Sequence, residues 1–235
     1  MKKVIIDSRT PKKITDSLTK LGFVTIALPC FPSLPTPVSA HPDMLIFFAD
    51  DKIFCHNDYY TIAKDELHEI SRSGYEIILS DEYVSNKYPH DILFNSVILD
   101  GNIYGKSKYI SRMIQDFAAD NNMNIIDVNQ GYTKCSVCKI SERAIITSDP
   151  SIHRTATANQ IDTLFISSGG VTLSGYDCGF IGGCSGICED KIYFSGNILL
   201  HPDGKKISDF CEKHNKTPIS LSDDILFDIG SMFFI

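Results

Sequence analysis

Asp43-Met-Leu-Ile-Phe-Phe-Ala49, then Asp50-Asp51-Lys52, then Ile53-Phe54-Cys55-His56, is the stretch on which the fold turns. Two apolar runs, each too short for a helix, flank a polar turn, which reads as a strand hairpin. Asn57 or Asp58 is placed to cap the helix that follows, with Ile62, Leu67 and Ile70 on its apolar side and Gly74 at its C-terminal stop. Tyr75-Glu-Ile-Ile-Leu-Ser80 returns as a third strand. The unit is therefore strand, strand, helix, strand.

The same order recurs outward along the chain. Asn95-Ser-Val-Ile-Leu99, a turn at Asp100-Gly101-Asn102 and Ile103-Tyr104 precede a helix over 107–120 and a strand at Met123-Asn-Ile-Ile-Asp-Val128. Cys135-Ser-Val-Cys-Lys-Ile140 and Ala144-Ile-Ile-Thr147 lead to a helix capped by Asp149 with Pro150 first, then to Thr163-Leu-Phe-Ile166. Cys184-Ser-Gly-Ile-Cys188 and Lys191-Ile-Tyr-Phe194 open a fourth copy, with a helix over 205–214 and a strand at Pro218-Ile-Ser-Leu221. The fifth copy is split. Gly230-Ser-Met-Phe-Phe-Ile235 supplies its first strand, and Lys3-Val-Ile-Ile-Asp7, a helix from Pro11, and Phe23-Val-Thr-Ile-Ala-Leu28 supply the rest.

Copies spaced by roughly 40 to 52 residues fall in the range of solenoids and propellers. The expected fold is a single α/β domain over 1–235, a five-bladed pseudo-symmetric propeller of ββαβ repeats. The repeats fall near 43–94, 95–134, 135–183, 184–229, and 230–235 with 1–42. Pairing the terminal segments in one blade closes the ring and covers its edges. A doubly wound sheet is the alternative, but it has one strand per helix where this chain has a hairpin before each.

With 235 residues, 43% of them hydrophobic and 22% charged, the chain has the composition of a globular protein. A net charge of −7 argues against a nucleic-acid partner. No apolar run reaches the ~20 residues of a membrane span, and Asp7 and Arg9 interrupt the first one too early for a signal peptide. The expectation is a cytoplasmic protein without a membrane or nucleic-acid partner, its eight cysteines mostly reduced and buried.

Three short motifs stand out at the starts of units. Phe227-Asp228-Ile229-Gly230-Ser231-Met232-Phe233-Phe234 precedes the split unit, His41-Pro42-Asp43-Met44 begins the next, and Gly131-Tyr132-Thr133-Lys134-Cys135-Ser136 begins the unit two further on. Read circularly, this resembles the pentein fold of the guanidine-modifying enzymes: arginine and agmatine deiminases, dimethylarginine hydrolases and amidinotransferases. The ribosomal anti-association factor six of archaea and eukaryotes shares that fold, and a separate bacterial branch of it is the nearest expectation for this chain. In the enzymes the order is E-G-G-D, then H-x-D one unit later, then the nucleophilic cysteine two units after that. This chain has Asp for the Glu, lacks the second Gly, has Ser for the last Asp, and has Lys134 before the cysteine.

The resemblance implies Cys135 as nucleophile, His41 as general acid and base, and Asp228 with Asp43 as clamps for a guanidinium. Lys134, Asn95 and the pair Glu189-Asp190 complete the substrate-binding candidates, and Lys134 or His41 is the cation that would lower the thiol's pKa. Neither a cofactor nor a metal is implied, and the partner is a small guanidino-type molecule. The chemistry is coherent. A guanidinium carbon resists water, but a thiolate attacks it when carboxylates hold the cation and an acid protonates the departing amine. Each motif also has a plain structural reading: a strand cysteine, a proline-bound turn, and a turn before the closing strand. Cys135-Ser-Val-Cys138 has the spacing of a zinc pair but no second pair or histidines to complete it. Cys178, Cys184 and Cys188, around Gly182-Gly183, either line the axis or pack between units. His201-Pro-Asp203 is read as a turn and helix cap, and residues 29–42 as a stiff connection that also covers the axial opening.

Overall fold

The computed structural model describes residues 2–235. Five three-stranded sheets account for the repeat. In each, the first strand runs antiparallel to the second, and the third lies parallel on the second's other side. Unit one comprises Ile46–Ala49, Lys52–His56 and Glu76–Ser80, and unit two Val97–Leu99, Asn102–Gly105 and Ile125–Asp127. Unit three comprises Cys138–Ser141, Ala144–Thr147 and Asp162–Phe165, and unit four Ser185–Cys188, Lys191–Phe194 and Thr217–Ser220. Unit five joins Phe233–Phe234 to Lys3–Asp7, with Ile5 opposite Phe233, and Val24–Leu28 runs parallel to Lys3–Asp7. The split unit is thus assembled as its apolar pattern requires.

A parallel third strand needs a crossover, and a helix supplies it in every unit. Lys12–Lys20, Arg112–Asp120, Pro150–Ala158 and Gly204–Lys213 serve units five, two, three and four. Unit one uses two helices, Asn57–Ile62 and Lys64–Ser71. Asp149 caps its helix as expected, accepting from the backbone N–H groups of Ser151 and Ile152 at 2.8 Å. Helices and sheets of neighbouring units bury a shared apolar layer: Val4 and Ile6 of unit five meet Leu18, Phe23, Tyr193 and Met232.

Several local expectations are corrected. The cap in unit one is His56, whose Nδ1 accepts from the Asp58 N–H, rather than Asn57 or Asp58, and Ile62 faces solvent. Residues 133–136 form a short helix, and the strand of unit three starts only at Cys138. The cause is Asn95 Oδ1, which accepts from the N–H groups of Lys134 at 2.7 Å and Cys135 at 3.3 Å and draws that backbone out of the ladder. Asp203 stands before its helix, but its carboxylate accepts from Ser167 N–H and Lys206 instead of capping. An additional pair absent from the repeat, Val171–Thr172 with Leu226–Phe227, runs parallel between units three and four.

Where the units begin, a run of hydrogen bonds passes from one to the next. Asn95 Nδ2 donates to Asp43 O, Lys134 N–H to Asn95 Oδ1, and Gly183 N–H to Cys135 O. Ser231 N–H then donates to Gly183 O, and Asp43 N–H to Gly230 O, so the series returns to its origin. These positions carry the candidate chemistry.

Candidate active site

Asp43 is the centre of the arrangement and has no exposed surface. Its Oδ1 accepts from the Cys135 thiol at 3.1 Å, and its Oδ2 accepts from the Ser231 hydroxyl at 2.6 Å. Asn95 Nδ2 lies 3.0 Å from Cys135 Sγ, so the sulfur is held from both sides. Asn95 thereby positions the nucleophile candidate and is spent on protein contacts rather than on a substrate. Burial first, then the charges of Asp43 and Asp228 and the bond to Asp43, pushes the Cys135 thiol well above its ordinary pKa. The resting form is the thiol.

His41 lies between two carboxylates. Its Nδ1 is 3.6 Å from Asp228 Oδ1 and its Nε2 3.8 Å from Asp7 Oδ2, and Nδ1 is buried without a hydrogen-bond partner. Asp228 is fixed by backbone donors instead: Phe180 N–H reaches Oδ2 at 2.9 Å and Gly230 N–H reaches Oδ1 at 3.0 Å. Burial raises its pKa to about 6, opposed by His41 and those two N–H groups and reinforced by Asp43. Gly230, the one retained glycine of the motif, has φ +70°, and a side chain there would overlap His41.

His41, Cys135 and Asp228 line a common cavity of about 110 Å³, roofed by Val38, Leu173, Tyr176 and Phe180. A larger hollow of about 460 Å³ meets it at His41, Leu173 and Asp228 and adds Asp7, Arg9 and Thr10. The roof joins residues 29–42 to the loop after Val171–Thr172, with Pro37 so near Gly175 that an added Cβ would sit 2.9 Å from its Cγ. From residues 29–42, Val38 lines this cavity and Phe31 and Leu34 are buried beside it in the apolar cluster.

Other candidates fall elsewhere. Lys134 points away from this cavity: its Nζ donates to Ser231 Oγ at 2.8 Å and lies 5.3 Å from the Phe233 ring centroid. Burial lowers its pKa, and it makes no bond to the thiol. Glu189 sits at a hairpin tip with φ 55°, paired with Lys2 in solvent, and Asp190 follows on the same exposed turn. Neither belongs to the cluster. Cys184 is buried in the apolar layer between units three and four, Cys188 is half-buried in its strand, and Cys178 is exposed at the cavity's rim.

Sequence reasoning missed three groups. Asp7 is buried and bound by Arg9 through both Nε and Nη2, yet only its place at the C-terminal end of a parallel strand marked it. Tyr132 lines the cavity and donates to Asp91 Oδ2 at 2.7 Å, leaving Asp91 Oδ1 buried and unpaired. Gly183 is bare because a Cβ would overlap the Asp228 carboxylate.

Solved structures resemble this fold across nearly the whole chain. A dimethylarginine dimethylaminohydrolase from Pseudomonas aeruginosa, a cysteine-to-serine mutant complexed with citrulline, superposes with a TM-score of 0.58 at 6% identity, over 94% of this chain and 91% of its own. SxtG, an amidinotransferase from Microseira wollei in a saxitoxin biosynthetic pathway, gives 0.56 at 10% identity, over 92% and 88%. Agmatine deiminase of C. jejuni gives 0.55 at 7%, over 94% and 87%. The chain spans 36% of the length of ArgZ, a cyanobacterial arginine dihydrolase that it also matches. At such identities the likeness is one of fold, the pentein-type α/β fold of guanidine-modifying enzymes. No curated protein matches the sequence. The family model that does match extends over residues 5–233, nearly the whole of the repeat and all of the cluster around Asp43, and by it the chain belongs to the family described as a family of unknown function (DUF6873).

Proposed function

We propose that this protein is a cysteine-dependent enzyme acting on a C–N bond of a guanidino-type substrate through a covalent thiouronium-type intermediate. The observation that carries this reading is that His41, Asp228 and Cys135, from three separate motifs, line one cavity, with Asp43 bonded to the sulfur behind it. The same reading takes residues 1–235 as one domain. Its five units stand as blades of a closed propeller, for which the returning series of inter-unit hydrogen bonds is the support. It also places the protein in the cytoplasm, consistent with eight free cysteines.

The cavity is lined by the Asp228 carboxylate, with Asp43 behind the thiol, and among the described residues no ammonium or guanidinium belongs to its lining. A planar cation fits such a site, and its own positive charge favours the thiolate. As the cation settles, the thiol proton passes to Asp43 Oδ1. The thiolate then attacks the guanidinium carbon, forming a C–S bond. The C–N bond to the departing amine breaks as His41 delivers a proton to that nitrogen. Neutral His41 next takes a proton from water, or from an acceptor amine. The new C–O or C–N bond forms, the C–S bond breaks, and the departing thiolate takes its proton back from Asp43 Oδ1. The walls of Val38, Leu173, Tyr176 and Phe180 suit a short apolar substituent on the substrate.

A second reading, a non-catalytic binding module, draws on the raised thiol pKa and on a His41–Asp228 separation of 3.6 Å. Chloroacetamidine, a guanidinium mimic with an electrophilic carbon, separates the two when the modified residue is mapped by mass spectrometry. Fast, saturable modification of Cys135, lost in folded His41→Ala and Asp228→Ala, is the expected result. Slow modification without saturation, or preference for exposed Cys30 or Cys178, would leave the binding module as the reading.

A further inference from the structure

A second cavity opens where the first strands of the units converge. Its volume is about 220 Å³, and its walls are chiefly Ile46, Phe48, Ile98, Ile187 and Phe233, from units one, two, four and five. Lys134 lines this cavity, whereas Cys135, one residue later, lines the other. The adjacent residues face opposite ends of the axis.

Polar groups here are few and alike. Lys134 Nζ has three donor protons, and its only acceptor among the described residues is Ser231 Oγ. Ser96 also lines the cavity, but its hydroxyl is buried against Gly105 and is not offered to a ligand. Lys139 stands at the rim, already engaged by Ile98 O and Glu142. One cation with free donors and apolar walls call for an acceptor-rich head of single negative charge on a small apolar body. A multiply charged head such as phosphate would leave charge uncompensated against Ile46, Ile98 and Ile187.

We propose that this axial cavity is a binding site for a small monocarboxylate with an aromatic or branched aliphatic body. The carboxylate takes hydrogen bonds from Lys134 Nζ, and the body lies against Phe48 and Phe233. Those rings stack at 4.8 Å with an interplanar angle of 27° and form a flat wall. Because Lys134 donates to Ser231, and Ser231 to Asp43, the bound anion sits four hydrogen bonds from the Cys135 thiol, counting its own bond to Lys134. The site does not depend on whether Cys135 is catalytic.

Titration calorimetry of the full chain with benzoate, benzyl alcohol and benzylamine tests it. Saturable one-to-one binding of benzoate is expected, about tenfold or more tighter than benzyl alcohol, the difference expected of a charge-assisted hydrogen bond. Lys134→Met should weaken benzoate by a similar factor. Ile187→Phe, at a half-buried wall position that leaves the Lys134–Ser231 bond alone, should also block it, which guards against a folding defect in the first variant. Cys135→Ala should leave benzoate binding unchanged. Benzyl alcohol or benzylamine binding as tightly as benzoate, benzoate affinity indifferent to both wall and lysine variants, or its loss in Cys135→Ala would each overturn the proposal.

Discussion

Cys135-Ser136 and Cys184-Ser185 are the same dipeptide at the start of successive units, and they meet opposite fates. Cys135 lies three residues ahead of its strand, on the short helix 133–136, and its sulfur reaches the axial cavity. Cys184 immediately precedes its strand, sits among Cys138, Ile181, Ile192 and Phe194, and donates to Ile181 O at 3.2 Å. In unit four it is Gly183, one residue before Cys184, whose N–H donates to the Cys135 carbonyl. A cysteine at the start of a unit is consequently no guide to a nucleophile; its offset from the ladder is.

The largest expected break of this contrast comes from Gly183→Ala. The added methyl enters the Asp228 carboxylate, so chloroacetamidine modification of Cys135 should fall by about a hundredfold or more, with destabilisation of about 1–3 kcal/mol from overpacking. Loss of stability with an unchanged rate would remove Asp228 from the guanidinium site.

Acidity sharpens the contrast next. Asp228 titrates near 6, so modification of Cys135 should fall as the pH drops through about 6, while any modification of Cys184 should not share that limb. The same shift sets a stability trend. A carboxyl whose folded pKa is raised favours the folded state when protonated; that contribution is fully present below the unfolded pKa near 4 and is lost as pH rises through about 6. Urea midpoints of wild type and Asp228→Asn should therefore diverge between pH 4 and pH 7, with the wild type losing ground. Parallel midpoints would contradict the buried, ionising carboxyl.

Smaller still, Cys184→Ala should cost about 1–2 kcal/mol by emptying packed volume and leave the Cys135 rate intact, as read by denaturant melts and mass spectrometry. Glu189→Ala, at the solvent-exposed hairpin, should change neither rate nor stability by more than about 0.5 kcal/mol. A clear loss of modification in that variant would return the acidic turn to the site.

How much of this was legible in the sequence follows from what each feature does to a pattern. Four hairpins were readable because runs such as Ile46–Ala49 and Lys52–His56 bury residues on both faces and are largely apolar. The split unit was readable because Val4, Ile5 and Ile6 need a partner that only Phe233–Phe234 supplies. Val171–Thr172 and Leu226–Phe227 were not, since two residues carry no period. Within the site, His41, Asp43, Cys135 and Asp228 came from their order around the repeat. The direction of Lys134 did not, because the helix 133–136 that turns it is imposed by Asn95, some forty positions earlier. Asp91 gave no signal, since it works through one distant partner, Tyr132, and Asp7 was marked only by its place at a strand's end beside Arg9.

The returning series of hydrogen bonds carries a kinetic consequence. Asp43, Asn95, Cys135 and Ser231 belong to four different units, and the Ser231–Asp43 bond joins residues 188 positions apart. Contacts of such sequence separation close late, because the entropy of the intervening loop is lost before they can compensate it. The sulfur meets Asn95 and Asp43 across only 40 and 92 positions, whereas Ser231 and Asp228 join them when the last segment pairs with Lys3–Asp7. A nascent molecule therefore carries a thiol with Asp43 but without Asp228.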